Sequence, residues 1–323
     1  VSLNTVAVKV MRKVTVERSY EYLKKLGIRN LVESYTNSKG VTMSDLDIAP
    51  LALGATTLGL TVREMASAYT TFTNGGIHNK SRTYTKVLDS QGNVVLDNKL
   101  EGTVVFSAAT CSIMTKMMEN VVSHYARYLD IDNMTACAGK TGTSMYEYDR
   151  WFCGFTPYYV GAVWYGFVEP SPLRKYLPNP SMAIFDNIMT KLHQDMYDEA
   201  KERGTELIQE FPMVGDIVKV TTCRDSGELY NPDTCGHDPR GGRAEVGYYI
   251  NGTQPTTYCT KHVIVDYCTE TGKEAGPNCP ETYSKVWVLG PERKYGGDMD
   301  DEYYMYYPNP NKICKAHNFA NTE

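Results

Sequence analysis

No run of about 18 consecutive apolar residues occurs in this chain, so no membrane-spanning helix is expected within it. An excess of positive charge is missing too. With 33 basic and 38 acidic residues the net charge is -5 and the pI about 5.8, which removes the electrostatic reason to expect a nucleic-acid partner. The opening residues, Val1-Ser2-Leu3-Asn4-Thr5, show neither a start Met nor the pattern of a signal peptide. Any anchor or secretion signal is therefore expected upstream. What is present is globular: 42% of the 323 residues are hydrophobic, enough for one or two domains with a real core.

The nine cysteines fall into two populations. Cys111, Cys137 and Cys153 stand singly among apolar neighbours and read as small buried hydrophobes. Cys223, Cys235, Cys259, Cys268 and Cys279 lie within 57 residues, and Cys314 follows in the tail. Cys223-Arg-Asp-Ser-Gly…Cys235 and Cys268-Thr-Glu-Thr-Gly…Cys279 look like two copies of one unit, with a glycine turn between cysteines 12 or 11 positions apart. Local disulfides Cys223–Cys235 and Cys268–Cys279 are the first expectation, each worth about 2–3 kcal/mol by loop entropy. A zinc site through Cys259-Thr-Lys-His262 and fully reduced thiols are the alternatives. Zinc ranks lower because structural zinc sites usually show two paired-ligand clusters, and one Cys-x-x-His pair is singled out here. No metal and no cofactor is assigned. His124 and His262 have no carboxylate or second histidine at triad-like spacing and read as surface residues.

Val6, Val10 and Val14, four residues apart, predict a helix over Asn4–Val14, and a second follows over 16–26 to stop at Gly27. Thr61-Val-Arg-Glu64 is a capping box, so a helix should start there and end at Asn74-Gly75-Gly76. Residues 82–88 and 93–96 flank Asp89-Ser90-Gln91-Gly92 as a β-hairpin, and 107–125 is a Met-rich amphipathic helix. From Gly139 the pattern changes to strands, at 140–145, 151–155 and 159–167, which imply an antiparallel meander. A closing helix is expected over 183–193, with the charged stretch 191–204 as its continuation or a linker. The fold class is thus α/β of the α+β kind, an antiparallel sheet flanked by helices over residues 1–198. A cysteine-bearing extension of short strands and turns should follow over 199–285, and 286–323 should be a disordered Tyr/Pro-rich tail.

Lys140-Thr141-Gly142-Thr143-Ser144 opens the meander, with Ser2-Leu3-Asn4 far upstream. A strand with one lysine, two hydroxyls and a glycine can present a cation and hydroxyl donors to a carboxylate, and the glycine leaves an extended substrate room to approach. Lys-Thr-Gly and Ser-x-Asn are two of the three signatures of serine acyl transferases of the penicillin-binding and β-lactamase kind. The third, Ser-x-x-Lys, carries the nucleophile and does not precede Ser2. The chain reads as an N-terminally truncated active-site fragment without its nucleophile.

Leu51-Ala-Leu-Gly-Ala-Thr-Thr-Leu-Gly-Leu-Thr-Val-Arg-Glu-Met-Ala-Ser-Ala-Tyr69, Ala138-Gly-Lys-Thr-Gly-Thr-Ser144, Trp151-Phe-Cys-Gly-Phe155 and Ala162-Val-Trp-Tyr-Gly166 extend the match. Over roughly residues 1–195 the chain resembles the class A penicillin-binding proteins of bacteria, and more loosely beyond. One departure is Ser123-His-Tyr-Ala126 after Val121-Val122, where the family usually has a Gly-Thr-Gly turn.

The resemblance implies a serine β-lactamase/transpeptidase-like fold and peptidoglycan D,D-transpeptidase chemistry, with acyl transfer from D-Ala-D-Ala stem peptides and β-lactams as mimics. It gives catalytic roles to Ser2, Asn4, Lys140 and Thr143, and substrate binding to Thr141, Gly142, Thr143 and Ser144. Ser2 would relay a proton, Asn4 hold a substrate carbonyl, and Lys140 bind the donor's terminal carboxylate. The Thr143 backbone N–H would be one of two oxyanion donors. It further implies an extracytoplasmic site on the bacterial cell membrane, an upstream anchor, contact with cell-wall synthesis machinery and, by analogy, a preceding glycosyltransferase domain. A β-lactamase-like hydrolase and a catalytically idle wall-peptide scaffold are the competing functions.

Overall fold

The valine and leucine spacing produces α1 (Asn4–Val14) and α2 (Val16–Lys25), separated by Thr15, which takes a left-handed φ of 75° and caps the second helix. This computed structural model describes residues 2–125, 129–173, 179–290, 305–306 and 309–317. The chain divides into two compact units, Val1–Gly215 and Asp216–Glu323. The observed boundary lies 17 residues beyond the expected 198, because residues 199–215 pack with the first unit.

In the first unit the order continues with a two-residue hairpin, β1 (Tyr35–Thr36) and β2 (Thr42–Met43), then α3 (Ile48–Leu53) and α4 (Val62–Thr73). The capping box that starts α4 forms as its sequence requires: Glu64 N donates to Thr61 Oγ1 at 3.1 Å, and Thr61 N donates to Glu64 Oε2 at 3.0 Å. β3 (Ile77–Asn79) pairs with β6 (Gly102–Val104), bracketing the hairpin of β4 (Lys86–Leu88) and β5 (Val94–Asp97). α5 (Ala108–Tyr125) follows and runs through the Ser123 departure, while residues 126–128 lie outside the described residues.

The meander is β7 (Ala138–Thr143), β8 (Asp149–Phe155) and β9 (Val160–Gly166), antiparallel in the order β7-β8-β9. Alternation along β8 sends Phe152 to one face, where it meets Phe185 of α6 (Pro180–Glu202) edge-on at 4.8 Å. Phe155 turns to the other side and meets Phe211 at 5.3 Å, beside Met118 of α5 and Tyr69 and Phe72 of α4. α6 runs on to Glu202, so the charged stretch from 191 is helix for all but its last two residues. Cys111, Cys137 and Cys153 are buried, and burial raises all three thiols above their ordinary range. Val6 and Val10 of α1 remain 52% and 53% exposed, so the stripe that predicts this helix is not its buried face.

The second unit holds two antiparallel pairs. β10 (Ile217–Cys223) pairs with β11 (Ala244–Ile250), with the one-turn α7 (Pro232–Cys235) between them. β12 (His262–Cys268) pairs with β13 (Thr282–Leu289), which β14 (Met305–Tyr306) joins in parallel. The expected disordered tail is corrected at three places: β13 extends to 289, Met305–Tyr306 form β14, and residues 309–317 are held in place, with Cys314 N donating to Glu274 O at 2.7 Å. Residues 291–304, 307–308 and 318–323 lie outside the described residues.

Candidate active-site groove

β7 carries its motif on an edge of the meander, with Lys140 opposite Cys153, Gly142 opposite Trp151 and Thr143 opposite Arg150. Period-two alternation puts Lys140 and Gly142 on the same face as Trp151 and Cys153. A groove of about 670 Å³ opens over that face. Its opposite wall is built from residues 53–62 and the first turns of α4, with Leu58, Leu60, Met65 and Tyr69 on the apolar side.

Ser2 and Lys140 meet in the structure although they are 138 positions apart: Lys140 Nζ donates to Ser2 Oγ and, at 2.9 Å, to the carbonyl of Thr141. Burial pushes the Lys140 ammonium below its ordinary value. Among the described residues no carboxylate lies within ion-pair distance of it. A half-buried cation without a protein counter-charge is an anion-binding group. Asn4 stands exposed at the first position of α1, two residues after Ser2.

Gly142 keeps the floor low, since a Cβ there would come within 3.2 Å of Trp151 Cβ. Thr141 and Thr143, the intervening residues of this edge strand, also line the groove, Thr143 from an exposed position. Ser144 is tied down. Its hydroxyl donates to Asp149 Oδ2 at 2.7 Å and accepts from Asp149 N at 2.8 Å. Both capacities of that hydroxyl are therefore engaged in closing the β7–β8 turn, rather than held open for a ligand.

Asp149, which reads from sequence as a simple turn charge, is the hub of this end of the sheet. Besides Ser144, it accepts from Trp164 Nε1 at 2.8 Å. The turn it closes contains Tyr146 and Glu147, consecutive non-glycine residues with φ of 58° and 59°. Such residues persist only where surrounding bonds over-determine them. Asp45 is a second residue without a motif signal. Fully buried, it accepts from Thr57 N at 2.7 Å, Thr57 Oγ1 at 2.8 Å and Val32 N at 2.9 Å, fixing the groove wall. Only its non-local partners reveal it.

The cysteines of the second unit correct the expected pairing. Neither Cys223–Cys235 nor Cys268–Cys279 is bonded, and all four are free thiols. His262, expected on the surface, is 3% exposed and faces Cys259 and Cys223. His124 is exposed as expected.

Comparison with known proteins places the groove in a family. Residues 1–190 match the penicillin binding protein transpeptidase domain, and residues 213–264 match the C-terminal domain of penicillin-binding protein 1A. Penicillin-binding protein 1A of Clostridium perfringens is 35% identical over 264 residues, covering 81% of this chain and 30% of that protein. Its counterpart in Clostridium novyi is 30% identical over 331 residues, covering 98% of this chain and 34% of that protein. The chain thus spans about a third of the length of these relatives. The crystal structure of penicillin-binding protein 1A from Haemophilus influenzae superposes with a TM-score of 0.54 over 80% of this chain and 40% of that one, at 16% identity, a likeness of fold. On the domain match, the relatives and the Lys140 groove together, this chain belongs to the penicillin-binding protein transpeptidase family.

Proposed function

We propose that this chain supplies the substrate-binding walls of a peptidoglycan D,D-transpeptidase centre within a longer protein. The observation that carries the reading is the contact of Ser2 Oγ with the Nζ of Lys140, which lines a groove of about 670 Å³. No Ser-x-x-Lys run occurs among the 323 residues, so the acylated serine is assigned to another part of the protein.

Lys140, cationic and without a carboxylate partner among the described residues, receives the C-terminal carboxylate of the D-Ala-D-Ala donor, with the Thr141 and Thr143 hydroxyls as neutral donors. The nucleophile's Oγ attacks the penultimate carbonyl carbon, and the Thr143 backbone N–H stabilises the oxyanion together with the N–H of the nucleophile. Ser2, already accepting from Lys140, relays the proton: the one released by the nucleophile's hydroxyl passes to Ser2 Oγ as Ser2's own goes to the departing D-Ala amine, so Ser2 ends as a hydroxyl again. A neighbouring stem amine then attacks the acyl-serine, releasing the serine hydroxyl and forming the crosslink. Asn4, two residues from Ser2, holds a backbone carbonyl of the stem peptide. A β-lactam presents the same carboxylate and acyl carbon, stopping at the acyl stage. The same reading assigns the site to the outer face of the bacterial cell membrane, with the anchor and any glycosyltransferase domain elsewhere in the protein. Among the described residues no helix is long and apolar enough to cross a membrane.

The test is D-Ala release from a stem-peptide mimic by the full-length protein. Release that disappears in Lys140→Ala supports the transferase. Peptide binding with no release from the wild type would instead leave a scaffold, and sustained nitrocefin turnover would leave a hydrolase.

A further inference from the structure

Six cysteines of the second unit gather into two sets of the same composition. Cys223, Cys235, Cys259 and His262 form one, and Cys268, Cys279, Cys314 and His317 the other, with the ligand atoms in each set all within 4.8 Å of one another. His262 Nδ1 stands 3.3 Å from Cys259 Sγ and 3.5 Å from Cys223 Sγ. His317 Nδ1 stands 3.5 Å from Cys314 Sγ and 3.7 Å from Cys268 Sγ. For zinc ligated at about 2.3 Å by sulfur and about 2.0 Å by nitrogen, tetrahedral angles put a nitrogen about 3.5 Å from each sulfur. The four distances bracket that value.

The two sets are copies in backbone as well as in composition. Each first cysteine ends a strand, and its carbonyl accepts from a glycine four residues on, Gly227 N at 2.8 Å and Gly272 N at 2.9 Å. Each third cysteine is placed by a backbone bond to the residue six after the first, Cys259 N to Leu229 O at 2.8 Å and Cys314 N to Glu274 O at 2.7 Å. Both histidines follow the third cysteine in a Cys-x-x-His step; the second of these, Cys314-Lys-Ala-His317, lies in the segment that reads from sequence as a disordered tail.

The imidazoles are oriented from behind in the same way. His262 Nε2 donates to Asp238 Oδ2 at 2.7 Å, and His317 Nε2 donates to Glu270 Oε2 at 3.1 Å. With the proton on Nε2, each Nδ1 lone pair points at the sulfurs, the carboxylate–histidine arrangement that supports metal ligation. Arg240 and Arg243 hold Asp225, with Arg240 also on Asp238, around the first set. Three thiols in each set count against disulfides, because pairing two would leave a thiol and an imidazole facing each other in a buried pocket.

We propose that residues 216–323 bind two structural zinc ions, each in a closed tetrahedral site of three thiolates and one histidine Nδ1. Binding releases three protons per site as the thiols become thiolates, giving each centre a charge of -1, with no change of oxidation state. Full ligation leaves no open position for substrate water. The first site is buried throughout, whereas Cys279 and His317 of the second are partly exposed. The second site therefore yields its metal to chelators first.

The test is metal analysis of the whole chain, purified under reducing conditions and given zinc. Two zinc ions per chain are expected, with one in Cys223→Ser, one in Cys268→Ser and two in the control Cys137→Ser. Should the variants fail to fold, the wild type decides alone. X-ray absorption should give three sulfurs and one nitrogen per zinc, and chelation should expose six additional thiols to a thiol reagent. Asp238→Ala should weaken the first site by about 10–100-fold while leaving the second unchanged. Bound iron, a single zinc, or Cys223–Cys235 and Cys268–Cys279 disulfides in the purified chain would overturn the proposal.

Discussion

Lys140 carries most of what a single residue can contribute here. Its ammonium lies in a groove wall, held below its ordinary pKa by burial and bonded to Ser2 Oγ and the Thr141 carbonyl. Replacing it with alanine in the full-length protein should slow β-lactam acylation by at least about 100-fold, or ~3 kcal/mol of barrier, in stopped-flow traces. The sign of the pH dependence follows from the shift. Carboxylate binding needs the protonated lysine, so acylation is full below the lowered value and falls as pH rises through it, earlier than for an exposed lysine. Lys140→Gln should abolish that alkaline limb. Asp149 acts behind the site, through Ser144 and Trp164. Asp149→Ala leaves both donors without their acceptor and should cost about 1–2 kcal/mol in thermal or denaturant unfolding. It should also weaken β-lactam binding more than it slows the acylation of bound ligand. Asp149 reads in the sequence as no more than a turn charge and Asp45 carries no signal at all, because the partners that give them their roles lie on other segments. Lys140 was recognisable because a cation, two hydroxyls and a glycine share one strand.

At the scale of elements, the Thr61 capping box shows why local structure was readable. Cap and reciprocating glutamate lie three residues apart, so the pattern is complete within one turn. Thr61→Ala should cost about 1 kcal/mol of stability, and Thr61→Ala with Glu64→Ala should cost less than the sum of the two in a double-mutant cycle. The same change should loosen the groove wall that leads into α4. The strands of the meander were legible from aromatic runs between turn residues, and the box, meander and closing helix all fall where their spacing puts them. What local pattern could not supply was the choice between disulfide and metal. Spacings of 12 and 11 favour closing each short loop on itself, while the deciding ligands come from elsewhere: Cys259 lies just before β12 and His262 is its first residue, and Cys314 and His317 arrive from beyond β14. A search for the Cys-x-x-His step alone would have found both pairs.

The whole molecule exposes apolar surface that a free-standing protein would cover. Leu3, Val6 and Val10 are more than half exposed around α1, and Phe167 and Val168 stand out just past β9, an edge strand among the described residues. An unpaired edge beside exposed aromatic and aliphatic side chains invites association. The 323-residue chain produced alone should therefore self-associate in analytical ultracentrifugation; a monomer with a single cooperative melt would contradict this. In the relatives, whose length is about three times that matched here, more chain is available to cover these faces.

The most direct test of the central claim is fluorescent penicillin labelling of the full-length protein, wild type against Lys140→Ala and Ser2→Ala, each shown to be folded by its melt. Covalent labelling of the wild type, lost in Lys140→Ala and slowed in Ser2→Ala, is the predicted result. Equal labelling of all three would contradict it, because the groove would then have no part in delivering the acyl group.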